Sequence, residues 1–466
     1  MSGDRSILSR RQWLSTAANG FGMLALSDLC SAGEQRAAAH HRPKARSVIF
    51  CFMDGGPSHV DTFDPKPELT RRQGQAIGEG AVSVKSQSTA DRVWFGSPWQ
   101  FKQRGESGLA VSELLPHLAG VADELCVIRS MIGQQPLHGQ QNLLLHTGRV
   151  TGMAPSFGSW VSYGLGSWRD NLPNYVLLNN DWIPNGGFEN FGSAFLPASH
   201  GATMVRAKGE AMDNIAPWNT EAAQRRKLAL LASQDREFAA VAGDDAVESA
   251  IRNYETAFRL QTAIPEIADI SKETAATVRR YGADSPDQHQ RHYSLQCLRA
   301  RRLVEAGVRF VEITCPLTHA NNSPWDQHSQ LKKYHEENAR ITDQGVAALI
   351  MDLKQRGLLE TTIVLWAGEM GRTPHTPKIQ EKAGRDHHVN GYSIFVAGGG
   401  FRPGMAFGST DDFGNAVAES PVTVHDVHAT ILHQMGIDHR RLTFRFGGRD
   451  MSLTDVHGEV ISPVLA

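Results

Sequence analysis

SVIFCFMDGGP, running from Ser47 to Pro57, is the stretch whose reading decides the fold. Ser47 opens an apolar, β-branched and aromatic run to Met53, and the turn formers Gly55, Gly56 and Pro57 come just after. This predicts a buried strand cut off by a turn, with Asp54 at its carboxyl end. Similar runs at Leu125–Met131, Tyr175–Leu178, Val308–Cys315 (VRFVEITC), Thr361–Ala367 (TTIVLWA) and Tyr392–Ala397 predict further strands. Apolar residues spaced three and four apart predict helices over 244–261, 265–281, 289–306, 329–357 and 424–435. Phe63–Pro67 should be extended, because each proline biases its predecessor away from helix. Residues 71–105 are polar and read as loop. Strands alternating with helices predict an α/β chain with a mostly parallel central sheet and helices on both faces. No internal repeat is visible, so residues 46–466 are expected to form one large domain with a helical insert around 201–287.

The chain has 466 residues, 41% of them hydrophobic, enough for a sizeable core. Lys and Arg number 47 against 49 Asp and Glu, so no overall field favours polyanions and no nucleic-acid partner is expected. Cys30, Cys51, Cys126, Cys297 and Cys315 form no C-x-x-C pair; Cys51, Cys126 and Cys315 read as buried inert thiols.

At the amino end, Ser9-Arg10-Arg11-Gln12-Trp13-Leu14 precedes a mildly apolar run from Ala17 to Leu29 and then small residues. Paired arginines, a weakly hydrophobic centre and a small-residue cleavage region resemble a twin-arginine export signal, which assigns residues 1–40 to signal and linker. The run is too short and too glycine-rich to be a stable membrane anchor. The expectation is export through the twin-arginine machinery to the periplasm or the exterior.

In open α/β sheets, functional groups gather where the carboxyl ends of strands converge. Asp54 ends the first predicted strand. Val308–Cys315 leads to Trp325-Asp326-Gln327-His328, Thr361–Ala367 leads to Glu369, and Asp386-His387-His388 precedes the strand at Tyr392. A divalent cation needs about four to six oxygen and nitrogen ligands. Asp54, Asp326, His328, Glu369, His387 and His388 would supply them, with Asp326 and His328 projecting from one side of an extended segment. Histidine is dense here: 8 of the 20 histidines fall between His375 and His457.

FMDGGPSHVDTFDPKPEL, WDQH, WAGEMGRTP, GRDHHVNGYSIFVAGGG and HDVHATILHQMGID closely resemble the bacterial family catalogued as domain of unknown function 1501, over nearly the whole stretch after the signal. That family is grouped with the alkaline phosphatase/sulfatase superfamily. The resemblance implies an alkaline-phosphatase-like fold and a site holding Zn, Ca or Mg. It makes Asp54 the first-strand metal aspartate and puts Glu369 in place of a later aspartate. The usual following histidine is absent, for Met370 stands there. Asp326 and His328 resemble the second acidic and imidazole pair, and His387 or His388 the late histidine. Laying LHGQQNLLLHTGR over the sulfatase nucleophile helix puts His138 where the modified cysteine belongs, as nucleophile, proton donor or further ligand. Arg372 is the candidate for gripping an anionic substrate, with Arg385 similar. His59 and Asp61 could orient Asp54 or cap a turn. His425 and His428 read as helix packing or capping. Gly398-Gly399-Gly400 lacks the Lys-Ser/Thr of a phosphate loop and reads as a turn.

The function implied is a metal-dependent hydrolase of sulfate, phosphate or related esters, with a small-molecule or glycan ester as substrate. The alternative is an exported binding or cell-surface protein that keeps the fold without the chemistry.

Overall fold

The first apolar run becomes β1 (Ser47–Phe52), an interior strand of a nine-stranded sheet. The computed structural model describes residues 39–77, 91–168, 172–206, 269–319 and 323–466, with scattered residues between 220 and 267. Ala39–Ala466 form one compact unit. The twin-arginine segment and most of the expected helical insert, including the helix over 244–261, lie outside the described residues.

In chain order the other sheet strands are β2 (Leu125–Ile132), β3 (Tyr175–Asn179), β4 (Thr203–Arg206) and β5 (Phe310–Thr314), then β6 (Thr362–Ala367), β7 (Tyr392–Gly398), β8 (Met405–Phe407) and β9 (Val422–Thr423). The spatial order is β8-β2-β7-β6-β1-β5-β3-β4, with β9 also on β2. Among the described residues, only β7 runs antiparallel to its neighbours in the sheet. All other pairings in the sheet are parallel. The arrangement is the mostly parallel, helix-flanked sheet expected, consistent with an alkaline-phosphatase-like α/β fold.

Helices α1 (His138–Thr147), α2 (Phe157–Leu165), α3 (Gln288–Ala306), α4 (Leu331–Gln355) and α5 (Val424–Gln434) cover the sheet. Side chains alternate across a strand, so β1 divides its residues between two cores. Ile49 and Cys51 join Val311, Val364 and Trp366 beneath α3 and α4. Val48, Phe50 and Phe52 join Phe310, Leu365 and Val396 beneath α1, α2 and α5. Both faces are buried, which is why the strand reads as a continuous apolar run. The helix ends follow local chemistry. Asp287 caps α3 by accepting from Gln290 N at 2.8 Å, and Gly307 ends it at φ 109°. Thr423 and Asp426 form a capping box at the start of α5.

Two stretches differ from their sequence reading: the helix expected over 265–281 begins only at Ala275, where Thr274 caps it, and part of the expected loop is strand. Phe101–Arg104, expected as loop, pairs with Leu109–Ser112 in an antiparallel hairpin. Lys102 and Gln103 are exposed, so the outer strand carries polar residues that hide it from a hydrophobicity pattern.

Registers align the carboxyl ends of three neighbouring parallel strands. Phe52 pairs with Thr314 on one side and Ala367 on the other. Asp54 and the loops carrying Asp326 and Glu369 therefore emerge side by side.

Away from that edge, the Asp343 carboxylate of α4 accepts the amides of His117 and Leu118 at 2.7 and 2.8 Å, tying down the short helix Pro116–Ala119. Burial pushes this carboxyl up from 3.8 to about 7 despite those donors. The folded state holds the proton more tightly than the unfolded chain, so this group's contribution to stability falls as pH rises from about 4 to about 7. Asp343→Asn is expected to flatten that slope in denaturant unfolding measured across the window; an unchanged slope would refute the assignment.

Candidate metal centre

The site is assembled around the backbone of Gly55. Its φ of 103° lies in the left-handed region, and a Cβ there would sit 2.6 Å from Asp326 N and 2.8 Å from Trp325 N. Only glycine lets the loop after β5 lie directly on the end of β1. Trp325 N donates to Asp54 O at 2.9 Å. Gly55 N donates to both carboxylate oxygens of Glu369, each at 3.1 Å. Arg372, fully buried, donates from Nη2 to Gly55 O, from Nε to Gly56 O at 3.2 Å, and from Nη1 to Asp326 Oδ1 at 2.7 Å.

Three imidazoles converge on the same Asp326 oxygen. Nε2 of His328 stands 3.0 Å from it, and Nε2 of His138 and of His387 each stand 3.3 Å away. Each ring is held from behind through Nδ1. His138 Nδ1 meets Glu369 Oε1 at 2.6 Å, His328 Nδ1 meets Asp386 Oδ1 at 3.2 Å, and His387 Nδ1 donates to the Pro136 carbonyl at 2.6 Å. A carbonyl only accepts, so His387 carries its proton on Nδ1 and turns a bare Nε2 toward Asp326. This outer bonding is what orients imidazoles for metal ligation. Nε2 of His328 and of His387 are only 3.0 Å apart. Two nitrogens that close need a proton or a cation between them; in a tetrahedral zinc site, ligand atoms about 2.0–2.1 Å from the metal lie about 3.4 Å from one another. Nε2 of His138 is buried without a well-formed hydrogen bond.

The electrostatics fit a cation site. Burial would raise the Asp326 carboxyl, but Arg372 and the imidazoles outweigh it and hold the carboxyl far below its usual range. Burial opposes charge on His138, yet Asp326 and Glu369 win and raise it to about 9. Hydrogen bonds to Asp326 and Asp386 raise His328, whereas burial lowers His387. Asp54 is pushed up to about 7 by burial and then by the Glu369 charge. A divalent cation would replace these protons as the partner of the carboxylates.

Of the residues singled out in the sequence, His138, Asp326, His328, Arg372 and His387 meet in this cluster. Glu369 stands one hydrogen bond behind His138. Asp54 lies deeper, its oxygens accepting from Trp182 Nε1 at 2.8 Å and Asn142 Nδ2 at 3.2 Å. His388 is not brought in. Its ring stacks on His59 with centroids 6.0 Å apart, and burial lowers it to about 3. Arg385 holds Asp61 through a two-pronged ion pair at 2.7 and 3.1 Å. Nε2 of His425 and of His428 donate to Gly148 O and Leu145 O, both at 2.8 Å, capping the end of α1. The residues overlooked in the sequence are Pro136, Trp182 and Asn142, while Asp386 was named beside His387 without a role. Asn142 carried a signal, since it lies one helical turn after His138 on the same face.

Gly55→Ala is expected to destabilise the fold by at least about 1–3 kcal/mol through backbone strain, with the clash against Trp325 and Asp326 adding to it. Denaturant unfolding measures this, and a cost near zero would show that the loop does not rest on Gly55.

A search of curated proteins finds no match. Among solved structures, PsFucS1 sulfatase from Pseudoalteromonas sp. is similar at 14% identity over 89% of this chain and 71% of that one, with a TM-score of 0.37. The lipoteichoic acid synthase LtaP from Listeria monocytogenes is similar at 10% identity over 90% and 75%, with a TM-score of 0.35. A phosphonate monoester hydrolase from Silicibacter pomeroyi matches at 10% identity over 90% and 76%, with a TM-score of 0.34. Likenesses at this level leave the chemistry to be read from the residues. The family model described as "Protein of unknown function (DUF1501)" matches residues 45–465, and the chain belongs to that family.

Proposed function

We propose that this chain is an exported metal-dependent hydrolase of phosphate, sulfate or related esters. The observation that carries the reading is the convergence of three imidazole Nε2 atoms on Asp326 Oδ1, each ring pinned through Nδ1 by an outer acceptor. Asp326, His328 and His387 would hold a divalent cation, leaving its remaining side to solvent and substrate. The imidazole-rich donor set favours zinc over calcium or magnesium. Nε2 of His138 is buried and faces Asp326 Oδ1 at 3.3 Å without a well-aligned hydrogen bond, which fits a charged group arriving in the cluster. When bound, the cation supplies Lewis-acid polarisation of an ester oxygen and activation of water.

The chain's own residues do the positioning. Arg372 has no route to substrate, because it is buried against Gly55, Gly56 and Asp326; it locks the Asp326 carboxylate in place. Glu369 orients His138. The side chain of His328 is 45% exposed, which opens the cluster to solvent. The motif resemblance to the alkaline phosphatase/sulfatase superfamily supplies the reaction class, a small-molecule or glycan ester being the substrate. No cysteine lies near position 138 in the sequence, so a formylglycine route is not part of the proposal. Export rests on the paired arginines of the amino-terminal segment, and Arg10→Lys with Arg11→Lys is expected to retain the protein in the cytoplasm, as cell fractionation would show.

One observation favours a second reading. If His138 closed the set as a fourth ligand, the site would resemble a structural metal centre, and the protein would be a binding or cell-surface component.

Elemental analysis of protein purified without added metal, combined with turnover of aryl sulfates and phosphate mono- and diesters, tests the proposal. Zinc-like stoichiometry with turnover is expected. Asp326→Ala or His387→Ala should lose the metal and lower kcat/KM by at least about a hundredfold. Full metal loading without turnover of any ester would overturn the hydrolase reading and leave the second.

A further inference from the structure

We infer that an apolar track along α1 binds the alcohol part of the ester, and that this part is a long alkyl chain. This rests on the hydrolase reading and names the substrate class of the same site. Leu137 stands between Pro136, whose carbonyl holds His387 Nδ1 at 2.6 Å, and His138 of the cluster, yet it is 48% exposed. On the neighbouring loop, Trp182 is fixed through Nε1 to Asp54 Oδ2 at 2.8 Å. Asn185 Nδ2 reaches Ser323 Oγ at 3.2 Å, just ahead of Asp326 in the loop that carries it. The turn that follows, Gly187–Phe191, runs the length of α1. A Cβ on Gly139, in the first turn of the helix, would stand 3.7 Å from Gly186 N, and Phe191 meets the ring of His146, in the last turn, at 5.5 Å. Phe188, within this turn, is 64% exposed. Glu189 lies against Gly152, beside which Met153 is 81% exposed.

Single exposed apolar side chains are ordinary on a protein surface. Here three of the seven exposed large ones among the described residues follow one helix outward from a polar cluster. Leu137, Phe188 and Met153, with half-buried Trp182 and Ile183, belong to none of the apolar clusters that form the core, so they do not serve the packing of the sheet. Helix α1 has 10 residues, which makes the track about 15 Å long. A strip of that length suits a linear chain better than a single ring. Segments 133–139 and 182–191 carry no Lys or Arg, so neither offers a cation to a second anionic group. Asn142 spends its amide hydrogens on Asp54 Oδ1 and Asn185 O, and Asn190 on Asn185 O and Gly187 O, so neither offers them to sugar hydroxyls.

The cluster takes the acid part of the substrate and the track takes the chain. Each methylene that leaves water on the track tightens binding by up to about fourfold. That gain is the same before and in the transition state, because the chain lies away from the bond that breaks. It therefore acts through KM rather than kcat. Burial of the chain also carries a negative change in heat capacity, a signature that binding of the acid part alone lacks.

The metal-loaded full chain is titrated by calorimetry with methyl-, butyl- and octylphosphonate and with the matching sulfonates, which have no ester bond to cleave. In one of the two series the octyl member is expected to bind at least about a hundredfold tighter than the methyl member, with a more negative heat-capacity change. Leu137→Ser combined with Phe188→Ser should shrink that ratio at least about tenfold, with metal content and circular dichroism unchanged. In turnover, the preference for octyl over methyl phosphate or sulfate should shrink in step, through KM. A ratio near one in the unaltered protein, or a ratio that the double variant leaves in place, would overturn the inference and leave the hydrolase reading standing. So would tighter binding of glucose 6-phosphate than of octylphosphonate. Chain-length dependence that the double variant abolishes, without turnover of any ester, would uphold the track and overturn the hydrolase reading instead.

Discussion

The close approach of main chain at Gly55 is the constraint on which the site depends. Its missing side chain lets the segment Trp325–Asp326 lie on the end of β1, its amide grips Glu369, and its carbonyl receives Arg372. Asp326 from one part of the sequence, and Glu369 with Arg372 from another, are thereby set against one peptide unit. Main-chain contacts lose little entropy on forming, since the strand beneath is already fixed by burial on both faces. The polar cluster thus inherits its rigidity from an apolar strand.

Helix α1 is the second fixed element. Its last turn receives His425 and His428 from α5, and His146 bridges it to Glu312 of β5 at 2.8 Å. Histidine serves opposite purposes at the two ends of this helix. At the far end neutral rings satisfy orphan carbonyls, and at the near end His138 faces Glu369 and Asp326 across a charged gap. The density of histidine in the carboxyl-terminal part of the sequence therefore overstates the number of groups that meet in the cluster.

The fold was legible because apolar runs, turn formers and helical spacing agree along the chain. The strand ends were legible for the same reason: a carboxylate right after a buried run, as at Asp54 and Glu369, has few other places to go. What could not be read depends on partners remote in sequence. Nothing near Asp54 announces that Trp182 and Asn142 will occupy its oxygens. Pro136 enters through its carbonyl, an atom every residue possesses, so no pattern of side chains could point to it. Arg372 looked like an anion clamp because its sequence surroundings do not disclose that two glycine carbonyls and Asp326 absorb its donors. The choice between His387 and His388 depends on strand pairing.

That pairing is a ladder of two rungs, Gly371 with His388 and Arg372 with His387. Partners across an antiparallel ladder point to the same side, so Arg372 and His387 turn together toward Asp326 while His388 turns away. Charge and ligand are thus geared to each other. Sliding one strand by a single position would withdraw the guanidinium and exchange one imidazole for the other in the same stroke. The excursion from Thr373 to Asp386 that joins the rungs must therefore return the chain in phase, and it does so carrying Arg385 and Asp386 to their partners Asp61 and His328.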